Sequence, residues 1–120
     1  MMLISLSACS MTAQATEPEL IPKRATAYDL QGTTCTGKQV RDGIAASTEK
    51  YMIGKTIAMY QRLPSGSVGK LIGIYEVEDT GAMSTNVIDV WASDSQAFMN
   101  EVYKDGCEGK VFIQVIDAQG

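Results

Sequence analysis

Leu71-Ile72-Gly73-Ile74-Tyr75-Glu76-Val77-Glu78-Asp79-Thr80-Gly81, followed shortly by Asn86-Val87-Ile88-Asp89-Val90-Trp91, is the stretch whose reading decides the fold. Both runs are rich in Ile, Val and Tyr, the residues that favour strands, and each carries an aspartate. The small and polar residues between them read as a loop. The first run therefore delivers Asp79 to the rim of a sheet, and the second brings Asp89 back beside it. An aspartate between Ile88 and Val90 is costly unless it is paired, hydrogen-bonded or protonated, so Asp89 is the residue that calls for a function.

Working outward, the pattern predicts four more strands: Lys23 to Tyr28, Gly43 to Ser47, Lys55 to Arg62 and Lys110 to Asp117. Asp29 to Asp42 is rich in Thr and Gly and is expected to be a long loop, a kind that small domains keep mainly for function. One helix is expected near Asp94 to Lys104. Ser93 would cap it, with Gln96 completing a capping box and Gly106 as the left-handed residue that ends it. The fold class is mainly β, six strands with a single main helix near the C-terminus.

Five pieces of this pattern, in order, resemble a known family. They are Ala25-Thr26-Ala27-Tyr28, Asp42 to Ser47, Gly54 to Ala58, the paired runs ending at Asp79 and Asp89, and the closing Gly109 to Val115. Together they are similar to the three-aspartate (3D) domain, a double-psi β-barrel related to membrane-bound lytic transglycosylase A and to stationary-phase muralytic enzymes. Small single-domain clostridial and prophage-like members are the nearest in form. The resemblance spans roughly Ala25 to Asp117 and implies a six-stranded double-psi barrel acting on peptidoglycan. The family's first aspartate falls at Tyr60 here, and the loop after Asp79 is shorter than usual in the family.

Composition limits the chemistry. The chain has 120 residues, room for one domain, and a net charge of −4. Without its first 22 residues the chain is close to neutral, so no basic surface invites nucleic acid. It contains no histidine, which excludes Ser-His-Asp and Cys-His catalysis and every histidine metal site. Three cysteines, Cys9, Cys35 and Cys107, are too few and too scattered for a structural zinc site. No metal and no cofactor is expected, and proton transfer falls to carboxylates or tyrosine.

Residues 1–22 read as a targeting segment and linker ahead of a domain at 23–120. Leu6-Ser7-Ala8-Cys9 fits a lipobox in which Cys9 would be lipidated, and Ala13-Gln14-Ala15 fits ordinary signal cleavage. No Lys or Arg precedes the apolar run, which is too short to span a membrane; a frayed terminus without function is the plain alternative. The expected location is outside the cell, in the wall or on the membrane through a lipid anchor alone. The expected partners are peptidoglycan glycan strands, met by a monomer. In an oxidising compartment Cys35 and Cys107 can pair, closing a loop of about 70 residues worth about 3–4 kcal/mol, or remain free thiols.

For catalysis, Asp89 is the candidate acid, since a carboxyl in an apolar setting holds its proton nearer neutral pH. The resemblance implies that one such group suffices. In a lytic transglycosylase the muramic 6-hydroxyl attacks its own anomeric carbon, so the same carboxyl acts first as acid and then as base. Asp79 would hold the Asp89 proton or orient the sugar. Thr80, Ser47 and Tyr60 are candidate partners for sugar hydroxyls, and Trp91 is a candidate stacking face. Each has a structural alternative: Asp89 and Asp79 as turn or backbone caps, Trp91 and Tyr75 as core. Glu76 and Glu78 read as a solvated face. A non-catalytic glycan-binding or envelope-structural module of the same fold is the competing reading of the whole chain.

Overall fold

Ile21–Tyr28 forms β1, and its alternation of buried and open positions sets the geometry of everything that follows. The computed structural model describes residues 19–81 and 83–116. The other strands are β2 (Ile44–Ala46), β3 (Thr56–Arg62), β4 (Val68–Asp79), β5 (Val87–Trp91) and β6 (Lys110–Val115). All six expected strands are present, within a few residues of their expected bounds. They close into one barrel in the order β1-β5-β2-β4-β3-β6. Two of the pairings, β1 with β5 and β2 with β4, are parallel, and the rest are antiparallel. This is the double-psi arrangement, and closure leaves no free sheet edge.

Inward-facing residues from every strand fill the barrel, among them Ala25, Ala45, Ile57, Met59, Val77, Ile88, Val90, Val111 and Ile113. The one α-helix among the described residues, α1 (Ser95–Tyr103), lays Val102, Phe98 and Met99 against this core and packs on β1 and β6. Phe98 meets Tyr75 edge to face, ring centres 6.3 Å apart. The cap differs from the expected one. Asp94, not Ser93, is the N-cap, its carboxylate accepting the Ala97 N–H at 3.0 Å. Ser93 is instead held from outside the helix, its N–H and hydroxyl both donating to Asp42 at 2.9 Å. A carboxylate caps as well as a hydroxyl does, and Asp42 had already engaged the serine.

A second, smaller cluster lies on the outer wall of the barrel. Val40, Ile44 and Trp91 are buried there, with Tyr28 packed beside them. Residues 29–42 run across this wall as a strap. A Thr33–Gln39 bridge closes the strap on itself, and Val40 pins it to the sheet.

Candidate functional site

The register of the strands builds a row of side chains across the outer wall. Thr26 on β1 stands opposite Asp89 on β5; Asp89 stands opposite Ala46 on β2; Ala46 stands opposite Asp79 on β4. Ile88 and Val90 point into the core, so strand alternation turns Asp89 outward. The two acids therefore share a row, though their strands are not neighbours as the sequence suggested: β2 lies between them. Two strand spacings separate their backbones by about 10 Å, with Ala46 of β2 in the row between them.

Asp89 is half-buried and accepts a hydrogen bond from the Thr26 hydroxyl at 2.7 Å. Burial lifts its carboxyl above the ordinary aspartate range, partly offset by the Thr26 bond, which favours the charged form. Repulsion from Asp79 is not among the causes, so desolvation alone raises it. Asp79 is anchored differently. Its carboxylate accepts the Cys35 N–H from the strap at 3.0 Å and the Thr80 N–H at 2.9 Å, while its carbonyl accepts the Ser47 N–H at 3.1 Å.

Beside these acids stands a third group, Tyr28. Tyr28 shares an outward face with Thr26, two positions on along β1, and stands opposite Trp91. Its hydroxyl is buried and meets no hydrogen-bond partner among the described residues; the Asp79 carboxyl stands near it without good hydrogen-bond alignment. Burial first, then the charges of Asp79 and Asp89, push the phenol up to about 12. Tyr28 is thus a neutral, buried donor held beside two carboxyls, with Asp79 as an acceptor it reaches without a hydrogen bond of standard geometry, and a group so placed demands an explanation. The signal was present: Thr-x-Tyr on a strand must place both side chains on one face.

The remaining expected site residues divide. Thr80 is exposed at the rim beside Asp79, open to a ligand. Ser47 is buried, and its hydroxyl accepts the Glu49 N–H at 3.0 Å, so it shapes the turn after β2. Trp91 is core of the outer cluster, its indole N–H donating to the Leu30 carbonyl at 2.8 Å, and it offers no face for stacking. Tyr60 pairs with Leu71 and Phe112, on a strand diametrically across the barrel from β5. Leu71 lies roughly 25 Å along β4 from Asp79, so Tyr60 stands apart from the row.

The Cys35–Cys107 disulfide is not formed. Both are free thiols, Cys35 exposed and directing its Sγ to the Glu78 carbonyl, Cys107 buried beside the start of β6. Cys9 and the lipobox lie outside the described residues. Glu78, expected on a solvated face, is buried. The Arg41 guanidinium grips it at 2.9 and 3.2 Å and Lys38 stands 3.6 Å away. The Arg41 hydrogen bonds, first among the causes, hold the Glu78 carboxyl below its usual range. The reason is a bulge: β4 pairs Val77 with Ala45 but Asp79 with Ala46, so Glu78 is an extra residue, turned outward toward the strap.

No family model matches the chain, and no curated protein does. Among solved structures, the Streptomyces papain inhibitor (SPI) is similar, with a TM-score of 0.53 and 13% identity over 84% of this chain and 96% of that chain. At that identity the likeness concerns the barrel alone.

Proposed function

We propose that the barrel is a three-aspartate-type domain that cleaves the MurNAc–GlcNAc bond of peptidoglycan as a lytic transglycosylase, with Asp89 as its single acid and base. One observation carries the reading: an aspartate on an apolar strand, half-buried, its carboxyl raised by desolvation and aimed by the Thr26 hydroxyl. Such a group gives a proton to the glycosidic oxygen and takes one back from the muramic 6-hydroxyl. Asp79, fixed by two backbone N–H groups, stands across Ala46 where positive charge develops on the sugar. Tyr28 supplies a neutral donor between them. The exported location and the N-terminal anchor or cleavage site belong to this reading, since its substrate lies outside the cell.

The test is mass spectrometry of peptidoglycan incubated with the purified protein. Anhydro-muropeptides should appear with the wild type. With Asp89→Asn, which keeps the shape and the Thr26 contact but removes the titrating proton, they should fall by about 10²–10⁴-fold. Release at the wild-type rate by Asp89→Asn, or none by the wild type from any peptidoglycan, overturns it.

A second reading, a glycan-binding module without turnover, is favoured by Tyr60, which stands where the resembled family carries its first aspartate and lies across the barrel from the acid row. It predicts binding to insoluble peptidoglycan that Asp89→Asn leaves unchanged.

A further inference from the structure

Immediately beyond Asp79, the outer wall opens into a groove of about 260 Å³. Thr36 and Lys38 of the strap form one side, Gly54 and Thr56 the other, and Glu76 and Glu78 line it between them. The groove adjoins the acid row at two points. Thr36 follows Cys35, whose N–H holds Asp79, and Glu78 precedes Asp79 on β4. It is too small for a whole drug-sized ligand, for which pockets run roughly 300–1,000 Å³, and suits one substituent of a larger molecule.

Its chemistry differs from that of a sugar site. No aromatic face lines it, whereas charges of both signs do. Arg41 spends its guanidinium on Glu78 and reaches Glu76 only at 3.5 Å. Lys38 has a single ionic contact, 3.6 Å to Glu78, and is largely exposed, so its ammonium keeps donors to spare. Glu76 is likewise more than half exposed. A ligand carrying a carboxylate for Lys38 and an amine or amide for Glu76 satisfies both charges, with the Thr56 hydroxyl at one flank and Thr36, whose hydroxyl already pairs with that of Thr34 at 2.8 Å, at the other.

We infer that this groove is a subsite for a short peptide substituent on the glycan, held on the far side of Asp79 from the bond at Asp89, two to three strand spacings or roughly 10–15 Å away. The inference rests on the glycan-directed reading above. It implies that strands bearing peptide stems are preferred to bare ones.

The experiment follows backbone amide shifts by NMR in full-chain Asp89→Asn protein, so that turnover plays no part. The probes are a muramyl peptide with free carboxylate and amine, and the same sugar without peptide. The muramyl peptide should shift Thr36, Lys38 and Thr56, and the bare sugar should not. Lys38→Gln, an exposed change that leaves the fold alone, should weaken peptide binding about three- to fivefold, and Lys38→Glu more. Equal affinity for both probes, or peptide shifts confined to residues outside the groove, overturns the subsite. Because binding is read without cleavage, a protein that binds the peptide yet releases no anhydro-muropeptides removes the enzymatic reading and keeps this one. Cleavage of bare and peptide-bearing strands at one rate does the reverse.

Discussion

At the scale of single residues, Asp89 and Glu78 make opposite predictions from opposite pKa shifts. Asp89 is raised on folding, so the folded chain binds more protons than the unfolded one just above the ordinary aspartate pKa. Its effect on stability therefore worsens as pH rises through that window and is constant above it. Asp89→Asn should unfold at a higher denaturant midpoint than wild type at pH 7, and the gap should close as pH falls toward 4. Glu78 is lowered, so its contribution is present above the ordinary glutamate pKa and is lost as pH drops through the folded value. Arg41→Ala should cost stability at pH 7, read as a lower denaturant midpoint, because the buried Glu78 carboxylate loses its bidentate partner. That cost should shrink in acid. Tyr28→Phe removes a hydroxyl without a partner, so urea unfolding should show no loss of stability while anhydro-muropeptide release falls roughly tenfold or more. A marked loss of stability instead would mean that the phenol holds the fold through a bond it forms in solution.

At the scale of elements, the strands were legible because their alternation and turn residues agree with the barrel that forms. Ile88 and Val90 inward with Asp89 outward is a pattern that one strand alone states. What joins elements was not legible. Nothing local says that β2 inserts between β4 and β5, since that order depends on how the whole chain closes. The strap was read as a loop, yet its burial of Trp91 depends on Val40 and the Leu30 carbonyl, distant partners without a periodic signal. The bulge at Glu78 escaped because an added residue disturbs alternation in a way that resembles an ordinary solvated strand end. The helix cap moved by one residue because Asp42, far away in sequence, had claimed Ser93. Asp94→Ala should accordingly cost about 0.5–2 kcal/mol in a thermal or denaturant melt, and Ser93→Ala should act through the strap.

At the scale of the molecule, every strand pairs on both sides around one core, so the barrel should open as a unit. In a Cys9→Ser chain, the thiols of Cys35 and Cys107 give a way to watch that opening. Cys35 is exposed and should react with an aromatic disulfide at once, whereas Cys107 is buried, with burial pushing its thiol up, and should react only through unfolding. The slow phase should follow urea concentration as global stability does. Two fast phases would show that the β6 end opens separately. Ile88→Ala, a fully buried core truncation on the strand that carries Asp89, should cost about 2–5 kcal/mol and speed that phase.

The bulge on β4 has a consequence in terms of parity. Counting from Val77, a regular ladder would face the residue after it outward and the next one inward; the added Glu78 lets two successive carboxylates both face out, one for the strap and one for the acid row. Glu78 thus behaves as an insertion, and excising it would set Asp79 directly after Val77, still opposite Ala46. The row of acids and the fastening of the strap are therefore separable characters, one written in the ladder and one in a single surplus residue. A chain lacking Glu78 should keep its barrel and its acid row while the Cys35 amide exchanges hydrogen faster.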